Sequence, residues 1–71
     1  MRKHVVWECD HTKCGALFRA RRQAAGLSLR AVAANTGFSA PYVADLERGR
    51  RKWRIALAQK LFAALEGNSH E

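Results

Sequence analysis

Acidic residues are scarce in this chain. Six Asp and Glu stand against thirteen Lys and Arg in 71 residues, giving a formal net charge of +7. Between Lys13 and Leu65, eleven basic side chains meet only two acids, Asp45 and Glu47. Such a balance says little about fold, but it favours a polyanionic partner. The plainer alternative is a solvated basic surface that keeps the protein soluble. Long apolar runs are also missing: nothing approaches the roughly 18–20 residues that span a bilayer. Met1 to Trp7 lacks the apolar stretch of a signal peptide, so a cytoplasmic protein without a membrane partner is expected. Two cysteines, Cys9 and Cys14, are too few for a disulfide framework, and an intracellular setting disfavours a lasting bond between them. There is no glycine-rich phosphate loop, no carboxylate pair with a plausible site, and no recognisable set of nucleophile, base and orienting acid. The chain therefore reads as a non-enzyme that needs no cofactor.

What is present suffices to fold. Hydrophobic residues make up 48% of the chain, which argues against disorder. Its length allows one small domain, with a marginal core unless helices pack tightly or a second chain contributes. Residues 1–12 carry no helical period; Val5-Val6-Trp7 is β-prone but too short to stand alone, so an irregular arm or a short strand is expected. Cys9, His11 and Cys14, in Cys9-Asp10-His11-Thr12-Lys13-Cys14, with His4 nearby as a fourth ligand, invite a zinc reading. Structural zinc usually needs a second ligand pair, however, and the other distant histidine is His70 in the tail. The competing reading has Thr12 capping the first helix and Cys14 as a small buried residue on it.

From Lys13 to Ala25 helix formers dominate, with Cys14, Leu17, Phe18 and Ala24 or Ala25 sharing one face, and Gly26 stops the helix. Ser28 is placed to cap a second helix, Leu29 to Asn35, in which Val32 points inward and Ala31, Ala33 and Ala34 permit close approach. Gly37 supplies a positive φ at its end. Another short helix starts near Ser39 to Pro41 and runs to a glycine stop at Gly49. Two short helices joined by a glycine turn in a strongly basic domain form the pattern of a helix-turn-helix DNA-binding unit. A last helix, Trp53 to Leu65, sets Ile55, Ala58, Leu61, Phe62 and Leu65 on one side, with Trp53 either sealing the core or meeting a second copy. The expected organisation is an arm over 1–12, a helix-turn-helix domain over 13–66 and a polar tail over 67–71.

Gly26-Leu27-Ser28, Val32-Ala33, Gly37-Phe38-Ser39, Tyr42-Val43 and Leu46-Glu47-Arg48-Gly49, at these intervals, resemble the phage Cro and repressor type of helix-turn-helix, the XRE family. The resemblance covers roughly Cys14 to Leu65. It implies a compact all-α bundle of four to five helices, of the lambda-repressor-like type. In such a bundle the helix Leu29 to Asn35 crosses the DNA backbone and the helix after Ser39, about 40–48, enters the major groove. Members are mostly transcription regulators that bind double-stranded DNA as homodimers. It further implies a partly buried salt bridge between Arg22 and Glu47, structural rather than DNA-contacting, and a phosphate held at Ser28 and the amides of its helix, with Arg30 adding charge.

By family position the reading surface is Ser39, Ala40, Pro41, Ala44, Asp45 and Arg48. The amide and guanidinium forks that pair bidentately with bases are nearly absent, leaving Arg48 as the strong candidate. Ala40 or Ala44 can meet a thymine methyl; Asp45 either accepts from a cytosine or pairs with Arg48 or a neighbouring arginine. Tyr42 either packs its ring or reaches a phosphate. Pro41 pushes Ala40 out of the α region, so the helix is expected to start at Pro41 with Ala40 as its half-in residue. Arg48, Arg50, Arg51, Lys52 and Arg54 follow without an intervening acid, placed for backbone or minor groove, unless they form only a solvated loop. The expected function is sequence-specific DNA binding by a small regulator, most simply a repressor. The alternatives are an antitoxin-like adaptor whose partner is a protein, favoured by the poor reading set, and a weakly specific DNA-compacting protein.

Overall fold

The computed structural model describes residues 10–67. Four helices follow in chain order: α1, His11–Ala24; α2, Leu29–Thr36; α3, Ala40–Glu47; and α4, Ile55–Gly67. No strand occurs among these residues. The Val5–Trp7 run, His4 and Cys9 lie outside them, and among the described residues no cluster of His, Cys, Asp or Glu could hold a metal.

α1 begins earlier than its composition suggests, because Asp10 rather than Thr12 caps it. The Asp10 carboxylate accepts from the Thr12 backbone N–H at 2.8 Å, which draws His11 and Thr12 into the helix. α4 begins later, at Ile55 rather than Trp53, since the Trp53 side chain turns into the core instead of continuing a helical face. Its indole Nε1–H donates to the Leu46 carbonyl at 3.0 Å, satisfying the polar edge of a buried ring.

Phe18 from α1, Val32 from α2, Val43 and Leu46 from α3 and Leu61 from α4 are fully buried, with Cys14, Ala33 and Trp53 nearly so. Each large apolar side chain in this set contributes about 1.5–3 kcal/mol by leaving water. Phe18 is the hub, meeting Phe62 edge-on at 5.2 Å and Trp53 at 5.8 Å between ring centroids. Two expected core residues are not in it: Leu17 is 49% and Ile55 44% exposed. Ala24 and Ala25 are exposed as well, because only the Cys14–Phe18–Arg22 stripe of α1 points inward. Cys14 is buried, but as half of a disulfide rather than a free thiol, its partner lying outside the described residues.

α1 packs on α3 and α4, and α2 packs on the same two helices. Gly15 lets α1 cross the end of α3 at backbone distance: a Cβ there would press into the Leu46 and Glu47 carbonyls. No helix among the described residues is long and apolar enough to cross a membrane.

Candidate functional site

The site is built on α2, the turn after it, and α3. The Ser28 hydroxyl accepts from the Ala31 N–H at 3.0 Å and so caps α2. Gly37 ends the helix with φ +84°, a conformation strained for any residue with a Cβ, and its N–H closes on the Ala33 carbonyl at 2.8 Å. The chain then reverses through Phe38 into Ser39, whose hydroxyl accepts from the Tyr42 N–H at 3.2 Å. That cap starts α3 at Ala40, so Ala40 is helical and Pro41 sits inside the first turn, where its missing N–H leaves nothing unpaired. The expected start at Pro41 is corrected accordingly.

Val43, Leu46 and Glu47 turn inward from α3, at the i, i+3, i+4 spacing of one helix face. Of the rest, Ser39, Pro41 and Arg48 are exposed, Ala44 and Asp45 are half-buried, and Ala40 and Tyr42 are half-buried with their side chains packed against the edge of the core. Ser28 and Arg30 are exposed at the start of α2.

Glu47 meets Arg22 in a forked pair, Nε to Oε2 at 2.6 Å and Nη2 to Oε1 at 3.1 Å, while Nη1 donates to the Leu27 carbonyl at 2.9 Å. The two side chains are 10% and 5% exposed, so the pair is enclosed and ties α1 and the following turn to α3. Neither residue faces outward. Asp45 is the other acid, and its partner is Arg51, not Arg48: Nε lies 3.7 Å from Oδ2, a long contact at the surface that contributes little to stability.

Arg48, Arg50, Arg51, Lys52 and Arg54 are all exposed. The loop that carries them is fastened at both ends. At the start, the Gly49 and Arg50 N–H groups donate to the Leu46 and Asp45 carbonyls at 3.2 and 2.9 Å. At the far end, the Trp53 N–H donates to His11 Nδ1 at 2.9 Å, and the Trp53 ring is anchored in the core. A charged run held at both ends is a fixed feature of the surface rather than a loose tail.

Clefts lie on both sides of α3. One, of about 340 Å³, is lined by Arg19, Leu29, Ala44 and Arg48 around the Arg22–Glu47 pair. The other, of about 560 Å³, lies toward α4, with Phe38, Tyr42, Arg51, Lys52, Arg54 and Lys60 among its lining residues. Residues 42 and 44 are two apart, about 200° around the helix, which is why α3 gives one side to each cleft. Tyr42 thus has its ring packed, edge-on to Phe38 at 5.1 Å with the Arg51 guanidinium 5.4 Å above it.

Sequence reasoning missed Arg19 and Lys60, and weighed His11 only as a metal ligand rather than as the acceptor for the Trp53 N–H. Arg19 and Lys60 are isolated cations on α1 and α4, far in sequence from the turn, and His11 acts through a lone pair on a residue 42 positions away. A helical wheel would have set Arg19 beside Arg22; nothing in the chain pattern points Lys60 toward Phe38.

A family model described as a helix-turn-helix domain matches residues 14–66. Neither a curated protein nor a solved structure matches the chain.

Proposed function

This chain belongs to the helix-turn-helix domain family, and from that premise we propose that it is a small transcription regulator that binds double-stranded DNA sequence-specifically. α3 enters the major groove with Ser39, Ala40, Pro41, Ala44, Asp45 and Arg48 toward the bases. Ser28, Arg30 and the first amides of α2 hold one stretch of backbone; Tyr42, Arg50, Arg51, Lys52 and Arg54 hold another or reach the minor groove. Residues 13–66 form the binding domain, which acts as a homodimer and, most simply, as a repressor.

The observation that carries this reading is the division of α3. Val43, Leu46 and Glu47 are used in the core, while Ser39, Pro41 and Arg48 are exposed and continuous with a clamped run of cations. With Asp45 engaged by Arg51, Arg48 is the base-reading fork among them, and a share of the specificity falls to DNA shape. The same paucity of forks favours, as a second reading, an adaptor whose partner is a protein.

Selection from a random duplex library by the purified protein at near-physiological salt tests the proposal, with oligomeric state recorded in parallel. Enrichment of a two-fold symmetric site is expected, its half-site spacing locating the dimer contact. Salt-sensitive binding without enrichment leaves non-specific compaction; no binding to duplex leaves the protein partner.

A further inference from the structure

Lys60 stands apart from the basic run in sequence but not in space. Its ammonium lies 5.0 Å over the Phe38 ring, and Phe38 packs edge-on against Tyr42, which Arg51 covers from its own side. Two rings, each carrying a cation, therefore form the floor of the cleft between α3 and α4. Lys52 and Arg54 complete its charged lining, Ala56 and Leu57 supply apolar wall, and no acid lines it. Arg51 shares its charge with Asp45 through the long 3.7 Å surface contact, but Lys52, Arg54 and Lys60 have no acid beside them in the cleft lining, and an anion seated among them relieves their mutual repulsion. A lysine on a free stem spreads over many rotamers; one held against an aromatic face is already placed for a ligand.

We propose that this cleft seats a phosphodiester of the DNA duplex and that Lys60, from the middle of α4, is a backbone contact, with Phe38 positioning it. The inference rests on the DNA-binding reading above and adds to it a residue and a second helix. The occupant follows from charge and continuity. Tyr42 belongs to α3 and faces the cleft, so a duplex engaged by the outward face of α3 runs its backbone past this side. A phosphodiester supplies the single negative charge and the acceptor oxygens that an ammonium and three neighbouring cations would bind. Because the contact is to backbone, it adds affinity without reading sequence.

The test is the salt dependence of binding to the duplex recovered by selection, for the wild type, K60Q, K60R and K13Q, the last removing an exposed lysine on α1 outside the cleft. Each lost phosphate contact reduces the slope of log Kobs against log salt by about 0.9. K60Q should show that reduction and weaken all sequences alike; K60R should restore the slope, and K13Q should keep it. A scan of duplexes carrying one neutral methylphosphonate at a time should then reveal a position that weakens the wild type but leaves K60Q unchanged. Melting of K60Q at the wild-type temperature verifies that fold is not the cause. A wild-type slope in K60Q, or a scan without such a position, overturns the role of Lys60 while leaving DNA binding in place. Failure of the wild type to bind any duplex overturns both.

Discussion

Replacing Arg22 by Met leaves an enclosed carboxylate without its partner. The aliphatic stem is kept, but the Glu47 carboxylate, 5% exposed, loses both guanidinium donors, and the Leu27 carbonyl loses a third. Leaving one member of an enclosed pair charged and alone costs about 3–5 kcal/mol. A domain of this length has about 4–10 kcal/mol of folding free energy in total. At about 4–8 °C per kcal/mol for domains of this size, the melting temperature falls by at least roughly 12 °C, and part of the population is unfolded at 37 °C. Urea and thermal unfolding followed by far-UV circular dichroism measure this directly. The paired replacement R22M/E47L separates charge burial from packing: removing both charges should recover much of the loss, less the Leu27 hydrogen bond, giving a large favourable coupling in the double-mutant cycle. A loss below about 1 kcal/mol for R22M, or additive effects in the cycle, would refute the view of this pair as an enclosed tie between α1 and α3.

Gly15→Ala reverses a familiar sign: Ala is favoured over Gly by about 1 kcal/mol within a helix, yet here the new Cβ meets two backbone carbonyls of α3, so the melting temperature should drop. A rise would mean that α1 and α3 are farther apart. Ser39→Ala removes the cap of α3 and should cost about 1 kcal/mol in urea unfolding, with the denaturant slope unchanged. Arg48→Ala should relax preference at one base position, by about 1–3 kcal/mol, whereas Arg51→Ala should weaken every duplex alike and shallow the salt slope. Equal losses on all duplexes for both variants would count against Arg48 as a reader.

The turn was the most legible part of the chain because its signals are local. Ser28, Gly37 and Ser39 each act on backbone within three or four residues; Ser28 and Gly37 do what their positions predict, while Ser39 takes the cap expected of Ala40. The Arg22–Glu47 pair was legible only through family resemblance; composition alone says merely that an acid in a basic stretch needs a partner. The helix ends were less so. Asp10 outcompeted Thr12 as cap, and Trp53 left its helical period because burying an indole beside the Leu46 carbonyl outweighs two more helical residues. Leu17 and Ile55 fit the apolar periods of their helices, but the core is only about one stripe wide and Phe18, Trp53 and Leu61 fill it. Lys60 and His11 act across distances in sequence that no spacing rule covers.

The buried and exposed positions of α3 divide its labour, so that they are free to change at different rates. Val43, Leu46 and Glu47 are buried and keep the helix in place; Pro41 and Arg48 are exposed and lie outside the core, while Ala40 packs against its edge. Substitutions on the outward face therefore spend little of a small domain's stability. On the DNA-binding reading proposed above, a protein built this way can exchange one target sequence for another through single changes at exposed positions, each passing through a folded intermediate.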